Sequence, residues 1–392
     1  MTERAAASAR RVNPDKVGIL IGILTIVAVL GLPFVVLRPN RIAAGTGLSV
    51  FAALPAMQGA ALAALWIVGA LWAMKASRPA WRLAAGCAWL ATLAYALGAA
   101  AAHVVAADDM LARVSPDAGV WLLLFAWAVL VADALARLAF GPWRRLAVLV
   151  VAIGAISVPL ASGWWDGLSV MREYAVRSDD FWREAIRHVS LAGGSVAAAL
   201  IAGVPLGIAC ARIAAVRTVA MPVLNVVQTI PSIAMYGLMM APLGLLAAHV
   251  PLAAALGIRG IGVAPAVLAL FLYSLLPIAS SVVVGLGQVP PHVTEAARAM
   301  GMTRAQRLLH VDLVLALPVI LSGVRIVLVQ NIGLTAVAAL IGGGGFGTFI
   351  FQGIGQSAAD LVLLGAIPTI ALALVAAVIF EAATTLAKGR TG

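Results

Sequence analysis

The sequence predicts an all-α, polytopic membrane protein, and three observations predict it. Of its 392 residues, 63% are hydrophobic and only 10% are charged, too few charges to cover a water-soluble surface. The apolar residues gather in continuous runs of about 20, the length that crosses a ~30 Å hydrocarbon layer as a helix. These runs do not alternate in polarity, as membrane β-barrel strands do.

By that ruler about ten spans emerge: 17–37, 50–74, 83–106, 118–139, 145–163, 189–211, 219–241, 262–286, 313–341 and 360–387. The first follows Arg4, Arg10, Arg11 and Lys16. It is longer than a signal-peptide core and has no small-residue cleavage site behind it, so it reads as a retained span.

Ten spans put both termini on one side, and the basic residues say which. With a cytoplasmic N-terminus, the inside segments hold Arg4, Arg10, Arg11, Lys16, Lys75, Arg78, Arg82, Arg137, Arg144, Arg145, Arg212, Arg217, Arg298, Arg304, Arg307, Lys388 and Arg390. That is 17 of the 26 basic residues. The outside segments hold Arg38, Arg41, Arg113, Arg172, Arg177, Arg183, Arg187 and Arg259, and Arg325 lies within the ninth span. The net charge of +11 therefore follows membrane topology, and nucleic acid is not expected as a partner.

Segment 164–188 is the longest polar stretch. It reads as an external interfacial helix anchored by Trp164, Trp165 and Trp182. It divides an N-terminal five-span region (1–163), which carries no motif that assigns it, from a C-terminal five-span core (189–392).

Chemistry within the chain is not expected. Cys87 and Cys210 sit inside apolar runs, and the five histidines share no metal-ligand spacing. No phosphate-binding G-x-x-x-x-G-K-[ST] loop, nucleophile triad or paired carboxylates occur. No catalytic residue, cofactor or metal is assigned, the chain is not expected to be an enzyme, and any ATP hydrolysis must belong to a separate subunit.

The stretch 289–320 is the most informative. Pro290 and Pro291 suit a helix start, with Glu295 near the positive end of its dipole. Gly301 suits the left-handed residue that ends a helix. Thr303 with Gln306 forms a capping box that starts the next one. Between these marks Ala296, Ala297 and Ala299 offer a small, smooth face for another protein.

The run Glu295-Ala296-Ala297-x-x-x-Gly301, followed by Leu317-Pro318, resembles the EAA loop of permease subunits in bacterial ABC importers. The resemblance implies that the loop, 287–312, forms coupling helices that dock on a separate ATP-binding subunit, with Glu295, Ala296, Ala297, Gly301, Thr303 and Arg304 at the contact. Val314 stands where the family usually has a proline, so the junction into the ninth span is expected to run straighter than usual. GVPLGIACAR (203–212), QTIPSIAMYGLM (228–239), PAVLALFLYSLLPI (265–278) and the run 322–354 are similar to permeases of osmoprotectant importers, which take up glycine betaine, choline and related quaternary amines. The likeness covers about 181–387. It implies a type I permease core in the bacterial inner membrane, an extracytoplasmic substrate-binding protein, and a second permease chain as homodimer or heterodimer.

Membrane lipid surrounds the spans, and prolines inside them mark places where a cavity can be lined. Asn225, Gln228 and Ser232 recur on one face of the seventh span, Tyr273 and Ser280 on the eighth, and Arg325, Gln330 and Asn331 on the ninth. These eight residues are the candidate translocation path, and equally candidates for helix–helix hydrogen bonds. The glycine run 342–345 with Gly347 suits a tight external turn.

Two other classes are alternatives. An ion-coupled secondary transporter places carboxylates near the midplane, whereas Asp133, Asp312, Asp360 and Glu381 fall near predicted span ends. A scaffold or sensor without transport would not co-purify with a soluble ATPase. Within the ABC class, an amino acid or a phosphonate is the alternative cargo.

The charge pattern makes a direct prediction. Single cysteines near Arg78, Arg144 and Arg298, in a chain lacking Cys87 and Cys210, should resist an impermeant thiol reagent in intact cells. Those near Asp117 and Asp180 should react. Strong labelling at position 298 from outside would overturn the orientation.

Overall fold

The computed structural model describes residues 15–40, 43–75, 78–106, 109 and 111–391. Arg4, Arg10, Arg11 and Arg41, which belong to the charge pattern, lie outside the described residues. Contacts divide the chain into two compact units, Met1–Phe140 with Val151–Arg172, and Gly141–Val150 with Glu173–Gly392.

In the first unit, α1 (Lys16–Gly31) starts at Asp15, whose carboxylate accepts the N–H of Val17 at 3.2 Å, a helix cap. It stops before Pro33, because the residue ahead of a proline is pushed out of the helical region. The expected first span, 17–37, is therefore shorter, at 16 residues. Residues beyond Pro33 form β1 (Val35–Arg38), the centre of an antiparallel sheet with β2 (Thr46–Leu48) and β3 (Arg113–Pro116). Val36 lies opposite Gly47 on one side and Ser115 on the other. The sheet is an addition to the expected all-α fold. An apolar run such as Val35-Val36-Leu37 does not distinguish strand from span by hydropathy alone.

Pro55 separates α2 (Val50–Ala53) from α3 (Ala56–Ala73), which together replace the expected second span. Then follow α4 (Pro79–Val104), α5 (Ala118–Leu138) and α6 (Pro142–Ala161). Tryptophans form the core of this unit. Trp66 meets Trp127 edge to face at 5.4 Å, and Trp89 lies 6.0 Å from Trp127. Their indole N–H groups find partners: Trp66 donates to Thr92 at 2.9 Å and Trp127 to Thr25 at 3.2 Å. Trp164 and Trp165, expected to anchor an interfacial helix, bond to α4. They donate to the carbonyls of Tyr95 and Ala94 at 3.1 and 2.9 Å.

At the N-terminal end of α1, the almost fully buried Arg82 pairs with Asp15 and lies 3.4 Å from Asp133. Arg137 pairs with Asp133 at 2.9 Å. Two arginines thus meet two carboxylates, the arrangement that makes buried charge tolerable.

The second unit is reached through α7 (Ser169–Val176). Helix α8 (Ser178–Arg212) has 35 residues, about 52 Å of helix, against a ~30 Å layer. The polar segment from 178 onward and the expected sixth span are therefore one continuous helix. The expected seventh span is instead two helices, α9 (Ala214–Thr229) and α10 (Ser232–His249), broken at Pro231. Next come α11 (Pro251–Ala255), α12 (Val263–Gly287), α13 (Pro291–Ala299) and α14 (Arg304–Arg307). A π-helical turn, Leu308–Asp312, runs without interruption into α15 (Leu313–Ala338), followed by α16 (Gly347–Gly355) and α17 (Ala359–Thr391).

Among the described residues, nine helices are long and apolar enough to cross a membrane, and α1 is a shorter apolar helix. The chain is an all-α polytopic membrane protein, with the small sheet as an appendage.

Helix α12 is central to its unit, packed against α8, α9, α10 and α15, and α15 packs in turn on α17. Small residues permit the closest approach. A Cβ on Gly207 of α8 would lie 2.8 Å from the Ala279 carbonyl of α12, whereas one on Gly194 would meet nothing within 4 Å. Gly207→Val should therefore destabilise the purified protein by about 1–3 kcal/mol, the usual cost of overpacking. Gly194→Val should leave the melting temperature unchanged. Equal melting of the two variants would refute this close contact.

Candidate functional site

The loop between α12 and α15 is built by local rules. Pro290 precedes α13 with extended backbone, and Pro291 occupies its first turn, where a missing N–H costs nothing. At the other end the Met302 N–H donates to the Ala297 carbonyl at 3.2 Å, and the Gly301 N–H to that of Arg298 at 3.0 Å. With Gly301 at φ +77°, this is a Schellman motif, which only glycine adopts without strain. Thr303 then opens α14 through a complete capping box. Its N–H donates to Gln306 Oε1 at 2.9 Å, and its hydroxyl accepts the Gln306 N–H at 3.3 Å.

This geometry sorts the six loop residues. Glu295, Ala296, Gly301, Thr303 and Arg304 are exposed. Ala297 is buried, so the smooth alanine face expected from sequence is narrower. Ala297 is rotated about 100° from Ala296 and faces inward, while Ala296 and Ala299 share one side. Met300 beside them is 70% accessible, an apolar side chain outside the long apolar helices.

The eight candidate path residues fall into three settings. Around the Pro231 break, Gln228 Nε2 donates to the Tyr273 carbonyl at 2.8 Å, and the Tyr273 hydroxyl donates to the Ile230 carbonyl at 2.5 Å. Asn225 is exposed on α9, and Ser232 is half-buried beyond the break. The single helical face expected for Asn225, Gln228 and Ser232 does not run on, because Pro231 interrupts the 3.6-residue period.

Asn331 lies at the centre of the unit. It is buried, and its amide donates at 2.9 Å to Ser195 of α8 and at 2.9 Å to Ser274 of α12, which is helix–helix bonding. Arg325 pairs with Glu381 of α17, whose other oxygen meets Arg145 of α6 at 3.1 Å. Glu381 thus faces the middle of α15 even though the sequence puts it near a span end. Ser280 and Gln330 are half-buried.

A second constellation had only its glycines as a sequence signal. Between α15 and α16, Gly342, Gly344 and Gly345 have φ of +78°, +81° and +84°. Two side chains of α8 hold this turn. Glu184 accepts the Gly345 N–H, and His188 Nδ1 accepts the Phe346 N–H at 3.2 Å. His188 Nε2 lies 3.0 Å from the Ile332 carbonyl, so the neutral tautomer with hydrogen on Nε2 satisfies both ends of the ring. A Cβ on Gly345 would approach Nδ1 to 2.9 Å. Among the described residues no cluster of three or more His, Cys, Asp or Glu is placed to hold a metal ion.

Comparison with known proteins matches this architecture in two parts. Residues 203–388 match the binding-protein-dependent transport system inner membrane component, and residues 15–171 match the N-terminal domain of the ABC transporter permease YehY. The osmoprotectant import permease protein OsmW of Salmonella typhimurium is 42% identical over 189 residues, 48% of this chain and 83% of that protein. The chain belongs to the binding-protein-dependent ABC permease family. The choline transport system permease protein OpuBD of Bacillus subtilis is 36% identical, covering 57% of this chain and 94% of its own length. The osmoprotectant import permease protein OsmY of Salmonella typhimurium is 38% identical, covering 54% and 83%. The permease core read from the loop motif is thus a family member, a multi-pass inner-membrane protein. The N-terminal region, without a motif of its own in the sequence, gains a family through the second match.

The buried brace on the glycine turn is open to test. Glu184→Ala should leave the Gly345 N–H unpaired and cost about 1–3 kcal/mol, seen as a lower melting temperature in detergent. Glu184→Gln, which keeps an acceptor oxygen, should lose less. An unchanged melting temperature in Glu184→Ala would show that the carboxylate's bond to the turn contributes nothing.

Proposed function

We propose that this permease is the membrane-spanning subunit of an ATP-driven importer for osmoprotectant quaternary amines such as glycine betaine and choline. One observation carries the coupling part of the reading. The α13–Gly301–α14 segment is locked by its own caps and presents Glu295, Ala296, Ala299 and the accessible Met300 outward. A preformed, partly apolar surface of this kind suits a protein partner. The partner is a separate ATP-binding subunit, so the chain itself catalyses no reaction.

The substrate class is supported by the relatives, whose names specify osmoprotectants and choline. The chemistry agrees. A quaternary ammonium carries diffuse charge and no N–H donor, and each aromatic face holds it by roughly 0.5–2 kcal/mol. That recognition falls to an extracytoplasmic binding protein, while the core needs a path without a gripping carboxylate. The region of the Pro231 break, with Asn225, Gln228, Ser232 and Tyr273, is the part of the candidate path we favour.

The working unit contains two permease chains, as a homodimer or with a second, shorter permease, because one loop serves one ATPase. Both termini and loop 287–312 face the cytoplasm. Functionally the chain divides into the five-span region 1–163, the external segment 164–188 and the core 189–392.

Glu295→Lys and Gly301→Asp test the reading. Both variants should insert normally, while the ATPase no longer co-purifies and uptake of labelled glycine betaine falls at least about tenfold, a coupling loss of ordinary size. Retained assembly and uptake would reduce the loop to a linker. Unchanged glycine betaine and choline uptake on deleting the gene, alongside a defect for an unrelated solute, would overturn the substrate class alone.

A further inference from the structure

Asp312 closes the π-helical turn between α14 and α15, and its side chain is 5% accessible. The wider π turn inserts an extra residue into the helix, and such turns recur at functional positions. Here it turns the carboxylate toward a different helix. Oδ2 of Asp312 pairs with Arg212, the last residue of α8. The same oxygen lies 3.5 Å from Nε of Arg307, itself buried at the end of α14. One carboxylate therefore joins the coupling loop, the start of α15 and the end of α8.

The other end of α8 bears on the glycine turn. Arg212 and Glu184 are 28 residues apart on one helix, about 42 Å at the helical rise. Glu184 and His188 hold the backbone of Gly345 and Phe346. A displacement of the loop that moves Arg212 can reach that turn along α8, beside α15, which runs from the loop to the same turn. An apolar contact would slide under such a load. Asp312 is buried although Arg212 is 42% accessible, so separating them leaves a buried carboxylate short of a partner, which is costly.

We propose that Asp312 is a positioning residue that fastens the coupling loop to α8, so that loop motion travels along α8 to the glycine turn at its far end. The proposal rests on the reading of the loop as the ATPase contact. Its basis is the shared carboxylate, the π turn that aims it and the second brace at the opposite end of the same helix.

The test uses the assembled complex with its ATPase, carrying spin labels at Ala305 on the loop and Ala202 on α8. In the otherwise native chain the distance between labels should stay single and narrow with and without ATP. In Asp312→Asn, and in Arg212→Gln should the first variant fold poorly, ATP should broaden or shift that distance. The ATPase should still co-purify, and glycine betaine taken up per ATP hydrolysed should fall about tenfold. The exchange Arg212→Asp with Asp312→Arg should restore the narrow distance. An unchanged distance in both single variants would overturn the proposal. Failure of the native chain to hold the ATPase at all would instead overturn the reading of the loop, and the proposal with it.

Discussion

A backbone surrounded by hydrocarbon has no water to satisfy its N–H and C=O groups, so each must find its partner within the protein. Regular helix meets that demand by itself. Some irregular places in the second unit meet it through named side chains. Where Pro231 parts α9 from α10, the Tyr273 hydroxyl takes the Ile230 carbonyl. Where three glycines turn the chain between α15 and α16, Glu184 and His188 take the freed N–H groups. Where α15 approaches its end, the Tyr236 hydroxyl takes the Leu334 carbonyl.

The same demand explains how the helices recognise one another. Lipid tails are as apolar as leucine, so hydrophobic burial gives neighbouring helices little preference. Close approach and polar knots supply it. Gly207 lets α8 settle onto α12, and Asn331 then ties α15 to both through Ser195 and Ser274. In the first unit packed indoles take that role, and those of Trp66 and Trp127 direct their N–H groups to threonine hydroxyls.

Charges obey a stricter form of the rule, since an unpaired ion in a low dielectric is costly. Arg325 has Glu381, Arg82 has Asp15 and Asp133, and Asp312 has Arg212 and Arg307. Each cluster joins elements distant in sequence, which makes it a directional fastening as well as a neutralised charge. Transport needs parts that move as bodies around a few joints. Salt bridges and backbone braces fasten such elements to one another at a few defined points.

Much of this was legible in the sequence because it depends on neighbours a few residues apart. Apolar length announced the spans, and the Pro290-Pro291 start, the Gly301 stop and the Thr303–Gln306 box were local enough to read directly. The family motif lay in the same stretch. Long-range pairing was not legible. The sheet arises because Val36 meets Gly47 and Ser115, and the roles of Glu184 and His188 on α8 appear only where they meet the glycine turn more than 150 residues away. Likewise the sequence placed Arg325 within a span, but only the packing of α17 beside α15 supplies its partner, Glu381. Caps and spans follow from chemistry along the chain, whereas partners for buried polar groups exist only once distant helices pack.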